Sequence, residues 1–179
     1  LLLTSNTGSY STVFASGVYG LSLCILYFCS AKYHHTQDPV KKLFYRKLDH
    51  ISIYVLIAGT YTPYTLVFLS HSKGVLLFGI VWSVALLGTF LKIFFTGRFE
   101  IISLLLYLVM GWLIVFDFTA LELAVSPRAI SLLVAGGGFY TAGILFYVWN
   151  SLKYNHVLWH LFVLAGSICH FFSIYLELI

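Results

Sequence analysis

The sequence predicts an all-α fold, a polytopic transmembrane helix bundle, and three observations carry that expectation. Of its 179 residues, 60% are hydrophobic and only 9% are charged, whereas soluble domains carry roughly a quarter charged residues. Mean hydropathy is +0.95. Six apolar runs reach the ~20 residues that a helix needs to cross a bilayer. No soluble domain, internal repeat or low-complexity linker is evident, so residues 1–179 read as a single transmembrane helical domain.

Taken in order, residues 1–12 are rich in Ser, Thr and Gly and read as a polar connection. The opening "LLLTSN" reads as the tail of a helix already begun. A seven-helix architecture is therefore expected, its first helix truncated and about six full spans present. Those spans are expected at 13–34, 49–69, 74–95, 99–117, 129–149 and 156–178. Pro63, in "GTYTPY", should bend the second. Gly136-Gly137-Gly138 has no lysine or acid beside it, which favours close helix packing over a phosphate loop. Cys24, Cys29 and Cys169 lie in apolar runs without paired spacing and read as packing residues. Trp82, Trp112, Trp149 and Trp159 read as interfacial anchors or packing groups.

Charge sets the orientation. The stretch "KYHHTQDPVKKLFYRKLDH" between the first two spans holds Lys32, Lys41, Lys42, Arg46 and Lys47. Lys92, Arg98 and Lys153 fall on the same side by alternation, leaving Lys73 and Arg128 opposite. An excess of Lys and Arg marks the cytoplasmic side. Residues 1–12 and the C-terminus then lie outside, and the chain is expected in the cell (plasma) membrane. Such a basic stretch is a solvated face near anionic lipid rather than a nucleic-acid site.

The segment "HVLWHLFVLAGSICHFF" carries the chemistry. At ~100° per residue, His156 and His160 lie about 40° apart on one helix face and can reach one ion. Ser30 and His34, also four apart, close the first span, and Asp49 is expected at the start of the second. Alternating spans bring these three helix ends to one depth on the cytoplasmic side. Three neutral imidazoles with an open fourth position form a donor set typical of catalytic zinc, although imidazole also suits copper, nickel and iron. A carboxylate such as Asp49 can orient water there or accept its proton, with Ser30 as a hydrogen-bond partner. Taken singly, each group has a blander role: an H-x3-H spacing arises by chance, Asp49 can favour a helix N-terminus, and Ser30 can bond its own helix. His170, about 15 Å deeper than His160, reads as a hydrogen-bonded packing residue. His35, His50 and His71 read as interfacial polar groups, and Asp38, Glu100, Asp117 and Glu122 receive no chemistry.

"SAKYHH", "RKLDHISIYVLIAGTYTPY", "YLVMGW" and the histidine segment together resemble the haemolysin III family of bacterial membrane proteins. That family is grouped with the progestin and adipoQ receptors and, more distantly, with the alkaline ceramidases. The similarity runs from about residue 18 to 175, with the S-x3-H, Asp and H-x3-H elements in family order. It implies seven transmembrane helices and a zinc ion near the cytoplasmic side. It further implies His34, His156 and His160 as zinc ligands, Asp49 at the water of the site and Ser30 beside it.

Three functions are then in play. The first is a zinc-dependent hydrolase cleaving an amide or ester bond of a membrane lipid, the bond being suggested by the ceramidase relationship alone. The second is a non-catalytic lipid sensor or receptor with structural zinc. The third, a haemolysin-type cytolytic protein, is disfavoured because no span carries a polar stripe that could line a channel.

Overall fold

The computed structural model describes residues 10–178. It is all-α: among the described residues there is no strand, and six helices are long and apolar enough to cross a membrane. Helix α1 spans Tyr10–His35 and α2 Pro39–Pro63, continued by a π-helical turn at Tyr64–Phe68. Helix α3 is Gly74–Phe95. The fourth span comprises α4 (Glu100–Trp112), a 3-10 turn (Leu113–Asp117) and α5 (Phe118–Ala124). Helices α6 (Pro127–Val148) and α7 (Asn155–Leu178) complete the order. Of the polar connection expected at 1–12, residues 1–9 lie outside the described residues, whereas Tyr10–Thr12 already belong to α1.

The second helix corrects the sequence expectation. It begins at Pro39, not at 49, so the basic stretch is largely helical and the true connection is Thr36–Asp38. Asp38 caps it: its Oδ1 accepts from Val40 N at 2.9 Å and Lys41 N at 3.0 Å, and Pro39 occupies the first helical position. With the π turn, this element runs 30 residues, about 45 Å at 1.5 Å per residue. A hydrocarbon core is only ~30 Å thick, and the surplus is the basic N-terminal part. Asp49 is therefore not at a helix start but ten residues beyond Pro39, where the apolar run begins. Hydropathy registers the membrane, not the helix end.

The chain divides into two compact units, one reaching Phe118 and the other beginning at Thr119. In the first, α1 packs on α2 and α2 on α3. Buried Thr12, Ala15, Tyr19, Ser22, Leu26 and Cys29 recur every three or four residues, forming one face of α1. Gly59 admits the Ser22 side chain and Gly88 the Tyr54 ring, since a Cβ at either position would collide with it. The buried hydroxyls of "GTYTPYT" return to their own helix. Thr60 donates to Leu56 O at 2.8 Å, Thr62 to Ala58 O at 2.9 Å and Thr65 to Tyr61 O at 2.8 Å. Pro63 stands where the α-helical ladder gives way to the π turn. Tyr61 reaches across to the fourth span: its hydroxyl donates to Gly111 O at 3.0 Å and accepts from Ile114 N at 2.8 Å. It thus enters the backbone ladder where α4 tightens into the 3-10 turn. Buried Asp117 accepts from Ser72 Oγ and from Lys73 N, both at 2.9 Å, and so holds the turn that leads into α3.

In the second unit α6 and α7 pack antiparallel in one register. Ala129, Gly136 and Gly143 of α6 are buried at seven-residue intervals, as are Gly166 and Ser173 of α7. Ser173 Oγ donates to Ala129 O at 2.7 Å, His170 Nε2 to Leu133 O at 3.2 Å, and Tyr140 shares a 2.8 Å hydrogen bond with Ser167. At the end of this series Ser126, which caps α6, hydrogen-bonds Glu177. A glycine at 136 is required because a Cβ there would enter the His170 ring. Close packing, expected of the glycine triplet, therefore holds at Gly136, while Gly138 faces open space.

Candidate metal centre

In the first unit, α1 and α2 bring three of the candidate residues together. Ser30 lies on α1 one turn before His34, and its side chain hydrogen-bonds the half-buried Asp49 carboxylate on α2. His34 interacts electrostatically with the same carboxylate. Two antiparallel helices joined by a three-residue connection keep these groups together: the Ser22–Gly59 contact fixes the register and Ser30 then faces Asp49. Buried Cys29, one residue before Ser30, also lies within the field of Asp49. Its apolar run had suggested packing only, and nothing in its spacing pointed to a carboxylate neighbour.

The second unit holds the H-x3-H pair. His156 and His160 occupy the first two turns of α7, which begins directly after Tyr154, a residue with left-handed φ of 64°. Their Nε2 atoms approach to 3.0 Å, with ring centroids 4.6 Å apart and planes perpendicular. Two imidazoles whose nitrogens face one point can share a proton or bind one cation. That convergence, with N-donor chemistry and partial exposure, fits a transition-metal ion. His34 belongs to one compact unit and the histidine pair to the other.

Other expectations resolve plainly. His170 is a hydrogen-bonded packing residue, well away from the paired histidines along α7. Glu100 and His50, to which no chemistry was given, meet instead in an ion cluster: His50 Nδ1 lies 3.6 Å and Lys92 Nζ 2.7 Å from Glu100 Oε2. The eight-residue separation of Lys92 and Glu100 hid that pairing, because it needs the chain to reverse at Gly97 (φ 84°) and Phe99 (φ 57°). Asp38 is a helix cap and Asp117 a turn clamp.

Comparison with known proteins adds the following. A family profile described as "Haemolysin-III related" matches residues 1–171. The chain is 42% identical to "Hemolysin-3" of Bacillus cereus over 174 residues, covering 97% of this chain and 80% of that protein. It is 40% identical to the "Hemolysin-3 homolog" of Bacillus subtilis (strain 168), covering 97% and 82%. Human "Monocyte to macrophage differentiation factor" is 25% identical over 171 residues, covering 88% and 68%. No solved structure matches.

Proposed function

Since the chain belongs to the haemolysin-III related family of multi-pass membrane proteins, we propose that it is a zinc-dependent hydrolase acting on an amide or ester bond of a membrane lipid. His34, His156 and His160 each offer one imidazole nitrogen and would hold the ion. The two compact units then act as one domain, and the site sits on the basic, cytoplasmic side of the cell membrane. The observation that carries this reading is the convergence of the His156 and His160 Nε2 atoms at 3.0 Å. Bound zinc supplies Lewis acidity, which polarises a carbonyl and acidifies water.

The protein's own residues do the rest. Asp49 takes a proton from the attacking water as its oxygen bonds to the lipid carbonyl carbon. It returns that proton to the nitrogen or oxygen that leaves when the amide or ester bond breaks. The Ser30 hydroxyl orients the carboxylate for both transfers. The lipid arrives laterally, its chains remaining in hydrocarbon while its polar linkage reaches the membrane boundary where the apolar run of α2 starts.

In purified protein, Asp49→Ala should lower lipid hydrolysis by roughly 100- to 10,000-fold and leave the zinc content, measured by inductively coupled plasma mass spectrometry, unchanged. Should the unaltered protein turn over no amide or ester lipid while still binding zinc, the ion is structural and the protein is a lipid sensor or receptor. The names of the bacterial relatives attach haemolysis to those proteins. A cytolytic pore is the weaker reading for this chain, because no span carries a polar stripe in its sequence.

A further inference from the structure

A second polar centre lies in the first unit, where α2, α3 and α4 meet. Glu100 is the carboxylate of its ion pairs among the described residues. Oε2 takes Lys92 Nζ at 2.7 Å, and Lys92 is only 1% exposed, so that ammonium is desolvated against the carboxylate. Arg46 stands 3.6 Å from Oε1 with 39% of its side chain exposed, a looser contact. Lys47 Nζ donates to Ile93 O at 3.2 Å. Arg46 and Lys47 of α2 therefore bracket the turn 96–99, one reaching the residue that follows it and the other the end of α3 that precedes it. Arg98 projects from that turn into solvent.

The charges do not balance. Glu100 contributes one negative charge against Lys92, Arg46, Lys47 and Arg98, with the His50 imidazole also 3.6 Å from Oε2, which leaves a cationic surplus around one turn. Asp49, the nearest acid on α2, is engaged with Ser30 instead. Phe95 precedes the turn, Phe99 is its last residue, and both are exposed. Cations at a membrane boundary beside exposed aromatic rings present one surface to phosphate and another to an acyl chain.

We propose that Arg46, Lys47 and Arg98 bind the phosphate of an anionic phospholipid, whose acyl chain lies along Phe95 and Phe99. Glu100 is the positioning residue, fixing Arg46 against the turn while Lys92 meets its charge. The site shares no residue with His34, His156 and His160, and its failure would leave the metal reading untouched.

The test uses the full chain in a neutral detergent, titrated with phosphatidylglycerol and read by native mass spectrometry. Phosphatidylglycerol should be retained in preference to phosphatidylcholine, and equal retention of the two overturns the proposal. The double variant Arg46→Gln/Arg98→Gln should weaken retention by about fivefold per cation removed, whereas Lys41→Gln/Lys42→Gln on the same helix should change it by less than about twofold. Equal losses in both variants mean diffuse surface attraction and overturn it. Circular dichroism verifies folding, and Arg98→Gln alone, in an exposed turn, gives the same reading if the double variant is unstable. Displacement of the lipid by inorganic phosphate at equal concentration would show that the acyl chain contributes nothing, and would also overturn it.

Discussion

Tyr61 has one hydroxyl and uses it twice, donating a hydrogen bond to Gly111 O and accepting one from Ile114 N. Both backbone groups lie inside a membrane span, where no water replaces a lost partner. Tyr61→Phe should therefore destabilise the protein by about 1–3 kcal/mol, read as a lower melting temperature with helical content retained. An unchanged melting temperature would mean that the 3-10 turn closes its own hydrogen bonds. This bridge was invisible in the sequence, where "YLVMGW" and "GTYTPY" stand some fifty residues apart and neither contains a charge. The Ser30–Asp49 pairing was legible for the opposite reason: an acid bordering an apolar run is costly without a partner, and span alternation limits where a partner can stand.

At the scale of the element, α6 and α7 test how far glycine spacing governs helix approach. Gly136 lies against the His170 ring, whereas Gly138, half a turn on, meets nothing. Gly136→Ala should destabilise by about 1–3 kcal/mol through overpacking. Gly138→Ala should be neutral or stabilise by up to about 1 kcal/mol through helix propensity. Thermal melting of both variants in detergent decides the matter, and equal effects would mean that the α6–α7 register differs from the one described. A run of three glycines announces close approach without saying which glycine makes it; that depends on the seven-residue repeat shared with Ala129 and Gly143. The spans themselves were readable to within one or two residues at α3, α6 and α7, because hydrocarbon demands apolar length. The first ten residues of α2 were not, because they are charged and helical at once; the Asp38-Pro39 cap was the signal that could have found them.

For the whole molecule, the proposed donor set divides between a helix at one end of the chain and a helix near the other. A ligand that binds only the folded state stabilises it by about 2.7 kcal/mol at 100 times its Kd. Stripping divalent ions with a chelator should thus lower the melting temperature of the unaltered protein and leave His34→Ala and His156→Ala unaffected. If His34→Ala still responded to the chelator, the ion would rest on the α7 pair alone, and the shared centre would be wrong. The α6–α7 hairpin carries a further consequence, for biosynthesis. These helices leave the ribosome after α1 to α5, joined by a link of only six residues. Their serines, glutamate and imidazole already answer one another turn by turn. Such a pair conceals its own polar groups from lipid as it forms, so the translocon can release it as a finished unit.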